Sequence, residues 1–160
     1  MSLFPPETLS FRQNFVLPDA HATRALGTQF AALLQPGDIV ALSGALGGGK
    51  TTFSQGIAAG LRIENAVSSP TFVFMNEYES PRAPLLHLDA YRAEGFGWDE
   101  LRDAGFEEFL ERTDAIRVVE WPEMVAQWLT APHFWLRFEI EDDSRRVEIA
   151  ARRDFTGDLQ

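Results

Sequence analysis

The chain contains no cysteine, so neither a disulfide nor a thiolate metal site is available to it. Its three histidines have no paired spacing, which argues against a histidine metal site as well. Positive charge is scarce: 14 Lys and Arg stand against 24 Asp and Glu, a formal charge of −10. Holding a nucleic acid depends mainly on Lys and Arg, so this balance argues against a protein that grips nucleic acid by itself. It leaves open an acidic protein docked on a basic partner that carries the nucleic acid. No apolar run approaches the length of a membrane span. The opening residues MSLFPPETLSFRQ lack a basic region followed by an apolar stretch, so no signal peptide is expected and a cytoplasmic protein is. Internal repeats and low-complexity tracts are absent too.

The scarcest basic residue carries the most information. Of the fourteen basic residues thirteen are Arg, and the single Lys is Lys50. That position points to a site needing a compact ammonium rather than a planar guanidinium.

What is present suits one domain. The 160 residues are 45 % hydrophobic, enough for a sizeable core and too few for a comfortable second unit. We expect a single domain over 1–160, with its core at about 9–150 and a tail at 152–160 that is a candidate for disorder. Residues 9–18 read as an edge strand ending at Pro18, and Asp19 can cap a helix over 20–34. After the turn signal Gln35-Pro36-Gly37-Asp38, the run Ile39-Val40-Ala41-Leu42 reads as a buried strand feeding into glycines. Helices are expected over 50–61, 98–111 and 122–129, the last opened by Pro122. Strands are expected at 85–88 and 115–119, and 134–151 alternates about Asp142-Asp143-Ser144 as a hairpin does. Strands alternating with helices imply an α/β fold: a mainly parallel sheet flanked by helices, with a C-terminal β-hairpin.

Residues 44–51, GALGGGKT, fit the phosphate-loop pattern G-x-x-x-x-G-K-[ST] without a gap, after a buried strand and before a helix. Glycines let backbone N–H groups wrap an anion, and the helix N-terminus adds unpaired donors. Gly44, Leu46, Gly47, Gly48 and Gly49 are thus candidate phosphate-binding positions. Lys50 would reach the β- and γ-phosphates, Thr51 would ligate Mg²⁺, and Thr52 would serve the α-phosphate. The plain rival is a glycine turn before a helix, which neither the flanking elements nor the lone Lys would require.

A phosphoryl-transfer site also needs a metal-side carboxylate and a group that orients water. Such groups belong at the carboxyl ends of strands beside the loop, where Asp89 follows LLHL and Glu120 follows AIRVV. Solvated strand-end carboxylates are the alternative for both. Ser69-Pro70-Thr71 is either a switch-like segment or an ST-turn. Arg92 reads as a surface pairing rather than a stabiliser of transferring charge, His87 as an alternating strand residue rather than a proton-transfer group, and Trp121 as core or pocket wall. An ATPase, a GTPase and a small-molecule kinase all remain, although N-K-x-D is impossible with the one Lys already in the loop. A kinase would need a basic lid, and the Arg clusters are Arg145-Arg146 and Arg152-Arg153.

The ordered set LPDAHATRALG (17–27), LSGALGGGKTTFSQGI (42–57), SSPTFVFMNEY (68–78), LLHLDAYR (85–92) and VVEWPE (118–123) resembles the bacterial TsaE family. These are ATPase subunits of the machinery that makes threonylcarbamoyladenosine in tRNA. The resemblance implies a P-loop NTPase-like domain that hydrolyses ATP with Mg²⁺, working with TsaD and TsaB and meeting tRNA through that complex. It implies phosphate and metal roles for Lys50 and Thr51. It also makes Glu120 the metal-side acid, and Asp89 a metal-shell or water-orienting residue. Thr23 would lie near the nucleotide base. Two departures stand out: Ala45 where an acidic residue is usual, and Gly48 where Ala is common. A non-hydrolysing nucleotide-switch adaptor is the rival from another class.

Overall fold

Val, Ile and Leu make up more than half of the strands at 39–44, 85–89 and 116–120 taken together, and their alternation decides which helices cover each face. The computed structural model describes residues 8–64, 67, 75–129 and 131–160. Those residues form one seven-stranded sheet. In chain order the strands are β1 (Phe11–Leu17), β2 (Ile39–Gly44), β3 (Met75–Tyr78), β4 (Leu85–Asp89), β5 (Ile116–Glu120), β6 (Phe134–Glu141) and β7 (Ser144–Ala151). Their spatial order is β1-β7-β6-β2-β5-β4-β3. The helices are α1 (Ala20–Ala31), α2 (Lys50–Gly60), α3 (Trp98–Asp103) and α4 (Phe106–Glu111).

The expectation of a mainly parallel sheet needs correction. β2 is parallel to β5 and β6, and β4 is parallel to β5. β1–β7, β6–β7 and β3–β4 are antiparallel, so the sheet is mixed. The hairpin explains one side: β7 must run back along β6, and β1 then closes the edge against it. β2 is the centre, with β5 on one flank and β6 on the other. The loop after β2 therefore opens where the chain order diverges, the usual place for a ligand in an open α/β sheet.

On one face Val40 and Leu42 of β2 pack beneath α1 and α2. Phe30 and Phe53 lie 5.4 Å apart, and each also contacts a β6 ring: Phe134 at 4.9 Å from Phe30 and Phe138 at 5.5 Å from Phe53. On the other face Ile39 and Ala41 pack with Leu101, Phe106 and Phe109 of α3 and α4.

Three local expectations change. The helix expected over 98–111 is two short helices, because Gly105 takes φ +100 and stops the first turn-chain there. The helix expected over 122–129 is a single 3₁₀ turn, Pro122–Met124, entered from Trp121 at φ +58. The tail is laid on the body: Phe155 and Leu159 are buried, and Phe155 meets Phe134 edge-on at 6.4 Å. Arg153 ties the same region down by donating to Asp38 and to the Leu33 carbonyl. The helix over 20–34 ends its regular part at Ala31, and Asp19 caps it by accepting from Ala22 N–H at 2.8 Å.

α1 and α2 meet through glycines. A Cβ on Gly56 would lie 2.2 Å from the Arg24 carbonyl oxygen and 3.0 Å from Gly27 Cα, so both backbones fill the space. Gly56→Ala must push α2, the helix that begins with Lys50, away from α1. Overpacking of this kind costs about 1–3 kcal/mol, which for a chain of this size is a fall in Tm of roughly 3–10 °C. Thermal unfolding of the variant measures it, and an unchanged Tm would show that the crossing is looser than described.

Candidate functional site

β2 ends by turning its backbone directly into α2, and the turn is possible only because of what it lacks. Gly44, at φ +139, has no room for a side chain: a Cβ would meet the Phe138 carbonyl oxygen at 2.5 Å. Gly49 caps α2 at φ +107, the left-handed region that favours glycine. Residues Leu46 to Thr52 then curve around a cavity of about 340 Å³, closed by Asp89, Glu120 and Trp121. Ten side chains or backbone positions from three separate stretches of sequence thus face one space. Every phosphate-loop candidate from Leu46 onward is among them, and so are both acids.

Lys50 is 5 % exposed, and its ammonium crosses back over the loop. Nζ donates to the carbonyl oxygens of Gly44 at 2.6 Å and Ala45 at 2.8 Å, and sits 4.4 Å from the centre of the Trp121 ring. Burial lowers its pKa, while Glu120, Glu123 and Asp89 pull it back up. Gly44 takes part through this carbonyl, from beside the cavity rather than within its lining.

The acids arrive by strand register. Leu42 pairs with Glu120, and Glu120 pairs with Asp89. Glu120 is 2 % exposed and fully engaged. Its Oε1 lies 3.3 Å from Thr51 Oγ1, 3.3 Å from Ser54 Oγ and 3.1 Å from His87 Nε2, and its Oε2 lies 3.4 Å from Thr51 Oγ1. Asp89 is partly exposed, and its Oδ1 accepts from Tyr91 N–H at 2.9 Å. Among the described residues no three His, Asp or Glu side chains gather into a metal cage. A hydroxyl with one or two carboxylates is instead the sparse oxygen set that suits Mg²⁺ when phosphates complete it.

Thr23 is buried on α1 and faces a neighbouring cavity of about 150 Å³ that shares Gly47, Gly49 and Thr52 with the first and adds Asp143 and Arg145. Arg145 Nε donates to the Gly47 carbonyl at 3.1 Å, tying the hairpin to the loop. Of the two Arg clusters, Arg153 is engaged with Asp38 at the far end of β2. Arg92 is exposed on the 3₁₀ turn Tyr91–Ala93. Ser69-Pro70-Thr71 lies outside the described residues. Gly48 N–H donates to the Ala45 carbonyl at 3.1 Å, so the two unusual loop positions are bonded to each other.

Three contributors escape a reading of the sequence alone. Ser54 lies one turn beyond Lys50, and a helical wheel would place it on the same face. Glu123 follows Trp121-Pro122 and is half-buried, with Oε2 lacking a hydrogen-bond partner among the described residues. His87 is fully buried beside Glu120, whereas the alternation of its strand suggested only a packing residue. Its signal was phase: two positions before Asp89, it shares that residue's face of the sheet.

The chain is similar to several known proteins. The family model described as "Threonylcarbamoyl adenosine biosynthesis protein TsaE" matches residues 17–149. A tRNA threonylcarbamoyladenosine biosynthesis protein TsaE of Streptomyces coelicolor is 44 % identical over 133 residues, covering 79 % of this chain and 88 % of that one. The protein of the same description from Bacillus subtilis is 39 % identical over 132 residues, covering 81 % and 79 %. A crystal structure of Bacillus subtilis YdiB superposes with a TM-score of 0.68 at 30 % identity, covering 89 % of this chain and 86 % of that one.

Burial raises the pKa of Glu123 above its ordinary 4.5, only partly opposed by a backbone hydrogen bond and by Lys50. The folded value exceeds the unfolded one, so the native state holds this proton more tightly. The stability it contributes is present at low pH and is lost as pH rises through the folded value. Glu123→Gln is therefore expected to raise stability at pH 7.5 by roughly 1 kcal/mol, with the gain disappearing near pH 4. Urea unfolding at both pH values measures it. Destabilisation at pH 7.5 would mean that attraction to Lys50 outweighs burial.

Proposed function

The chain belongs to the TsaE family, and from that premise we propose that it is a Mg²⁺-dependent ATPase acting in tRNA N6-threonylcarbamoyladenosine formation together with TsaD and TsaB. One observation carries the reading: Thr51, directly after the loop lysine, meets the strand-end acid Glu120 through its hydroxyl. A phosphate-loop hydroxyl that ligates a metal through its lone pair still has an O–H to donate, and a buried carboxylate is a suitable hydrogen-bond acceptor for it.

In this account the loop N–H groups from Leu46 to Thr52 and the positive end of α2 bind the β- and γ-phosphates. Lys50, already braced on the Gly44 and Ala45 carbonyls, adds its charge there without having to be ordered by the ligand. Thr51 and Glu120, with Asp89 beside them, would hold Mg²⁺. When bound, that ion would supply neutralisation of phosphate charge. Asp89, steadied by Tyr91 N–H, orients the water that attacks the γ-phosphorus. The bond to the bridging oxygen breaks, and the products are ADP and inorganic phosphate. Trp121 walls the site and keeps the surroundings of Lys50 dry. Thr23, Asp143 and Arg145 border the space next to Gly49 and Thr52, where the base would lie. With a net charge of −10, the chain would meet tRNA through its partners.

Reconstituted threonylcarbamoyladenosine formation with TsaD, TsaB, tRNA and Mg-ATP tests this. Wild type is expected to support repeated cycles, while Lys50→Ala and Glu120→Ala lower the rate at least about 100-fold, as expected when a preorganised electrostatic contact is removed. Both variants should remain folded by circular dichroism. If they match wild type, hydrolysis is not the function and a nucleotide-switch adaptor replaces it.

A further inference from the structure

Glu120 is surrounded by hydroxyls and one imidazole, and these differ in how firmly they can hold it. The hydroxyl of Ser54 has a single proton and also lies 3.0 Å from the Lys50 carbonyl oxygen, the shorter of its two contacts. Thr51 likewise has one proton, and its contacts to the two carboxylate oxygens are 3.3 and 3.4 Å. Each hydroxyl can rotate away. His87 cannot: it is fully buried on β4, its backbone is in register between β3 and β5, and Nε2 lies 3.1 Å from Glu120 Oε1. Facing a carboxylate, Nε2 must carry the proton and donate it. The other ring nitrogen, Nδ1, is buried without a protein hydrogen-bond partner among the described residues. An orphaned buried acceptor is destabilising, so an apolar side chain would serve the core better at this position. What the imidazole supplies that an apolar group could not is the bond to Glu120.

We propose that His87 is a positioning residue, whose Nε2–H pins Oε1 of Glu120 and so fixes the carboxylate, both of whose oxygens lie near Thr51 Oγ1, against that hydroxyl. The inference rests on the ATPase reading above. It assigns His87 no proton transfer and no contact with substrate. Its effect is to remove the freedom of the carboxylate before the ligand arrives, the part that outer-shell partners commonly play for carboxylates at metal sites. The hydroxyl of Thr51 then always finds an acceptor in the same place.

The test compares His87→Phe, which keeps a buried ring without the donor, with His87→Gln, whose amide nitrogen sits as far from Cβ as Nε2 does. ADP affinity is measured by calorimetry with and without Mg²⁺, together with kcat and KM for ATP. For His87→Phe we expect metal-free ADP affinity within about twofold of wild type. The enhancement by Mg²⁺ should fall about 10–100-fold, and kcat should fall similarly at nearly constant KM. His87→Gln should recover most of both. Should His87→Phe fail to fold, His87→Asn takes its place, since its shorter amide cannot reach Glu120. The inference is overturned if the donorless variant keeps its Mg²⁺ enhancement and kcat. It is equally overturned if donorless and donor-bearing variants lose metal-free ADP binding alike, which is the mark of a core residue only. If wild type itself shows no Mg²⁺-linked ADP binding, the ATPase reading falls and the positioning role falls with it.

Discussion

The rest of the site depends on one buried ammonium. Lys50 Nζ joins the carbonyl oxygens of Gly44 and Ala45, and so clasps the beginning of the loop to the first residue of α2. Without that clasp, a run of glycines would have little to hold its shape, since glycine loses more conformational freedom on ordering than any other residue. Burial opposes the charge, and Glu120, Glu123 and Asp89 offset part of that cost. The three carboxylates thus favour the charged form of an ammonium held in a nearly closed place. A guanidinium, broad and planar, could not converge on two neighbouring carbonyls beside the Trp121 ring in the same way.

The scaffold brings each of these groups in from a different direction. β2 delivers Gly44, and β5 and β4 deliver Glu120 and Asp89 by register alone. α1 braces α2 through backbone contact at Gly27 and Gly56, and Thr28 Oγ1 adds a bond to the Gly56 carbonyl at 3.1 Å. On the other side Arg145 reaches from the hairpin to Gly47. The loop is thus held at its start by Lys50, along its length by the hairpin, and at its end by the helix pair. Binding in a site held this way avoids much of the ordering cost that a mobile loop would incur.

Legibility in the sequence followed how local each feature is. The turn from β2 into α2 over Gly44–Lys50 could be read, because it is a short contiguous glycine pattern between a strand and a helix. Asp89 and Glu120 could be read as strand-end acids, and the structure brings them to one cavity with the loop. The contact of Glu120 with His87 could not be read, because it depends on the lateral order of β4 and β5. The same is true of the mixed sheet, whose antiparallel edge is set by the closing of β1 on β7. The break at Gly105 was open to inspection, yet the apolar spacing from Trp98 to Leu110 continues across it and masks a left-handed residue. The tail gave no periodic signal at all, since it is held by Arg153, Phe155 and Leu159 acting singly.

The central claim is that this loop is a preformed seat for the phosphates of ATP, with Thr51 and Glu120 on the metal side. A crystal structure of the chain with Mg²⁺ and a non-hydrolysable ATP analogue tests it most directly. The account predicts the β- and γ-phosphates inside the curve from Gly44 to Thr52, with Lys50 Nζ still on the Gly44 and Ala45 carbonyls and Thr51 Oγ1 on the metal. Phosphates seated elsewhere, or a loop rebuilt around them with Lys50 displaced from those carbonyls, would contradict it.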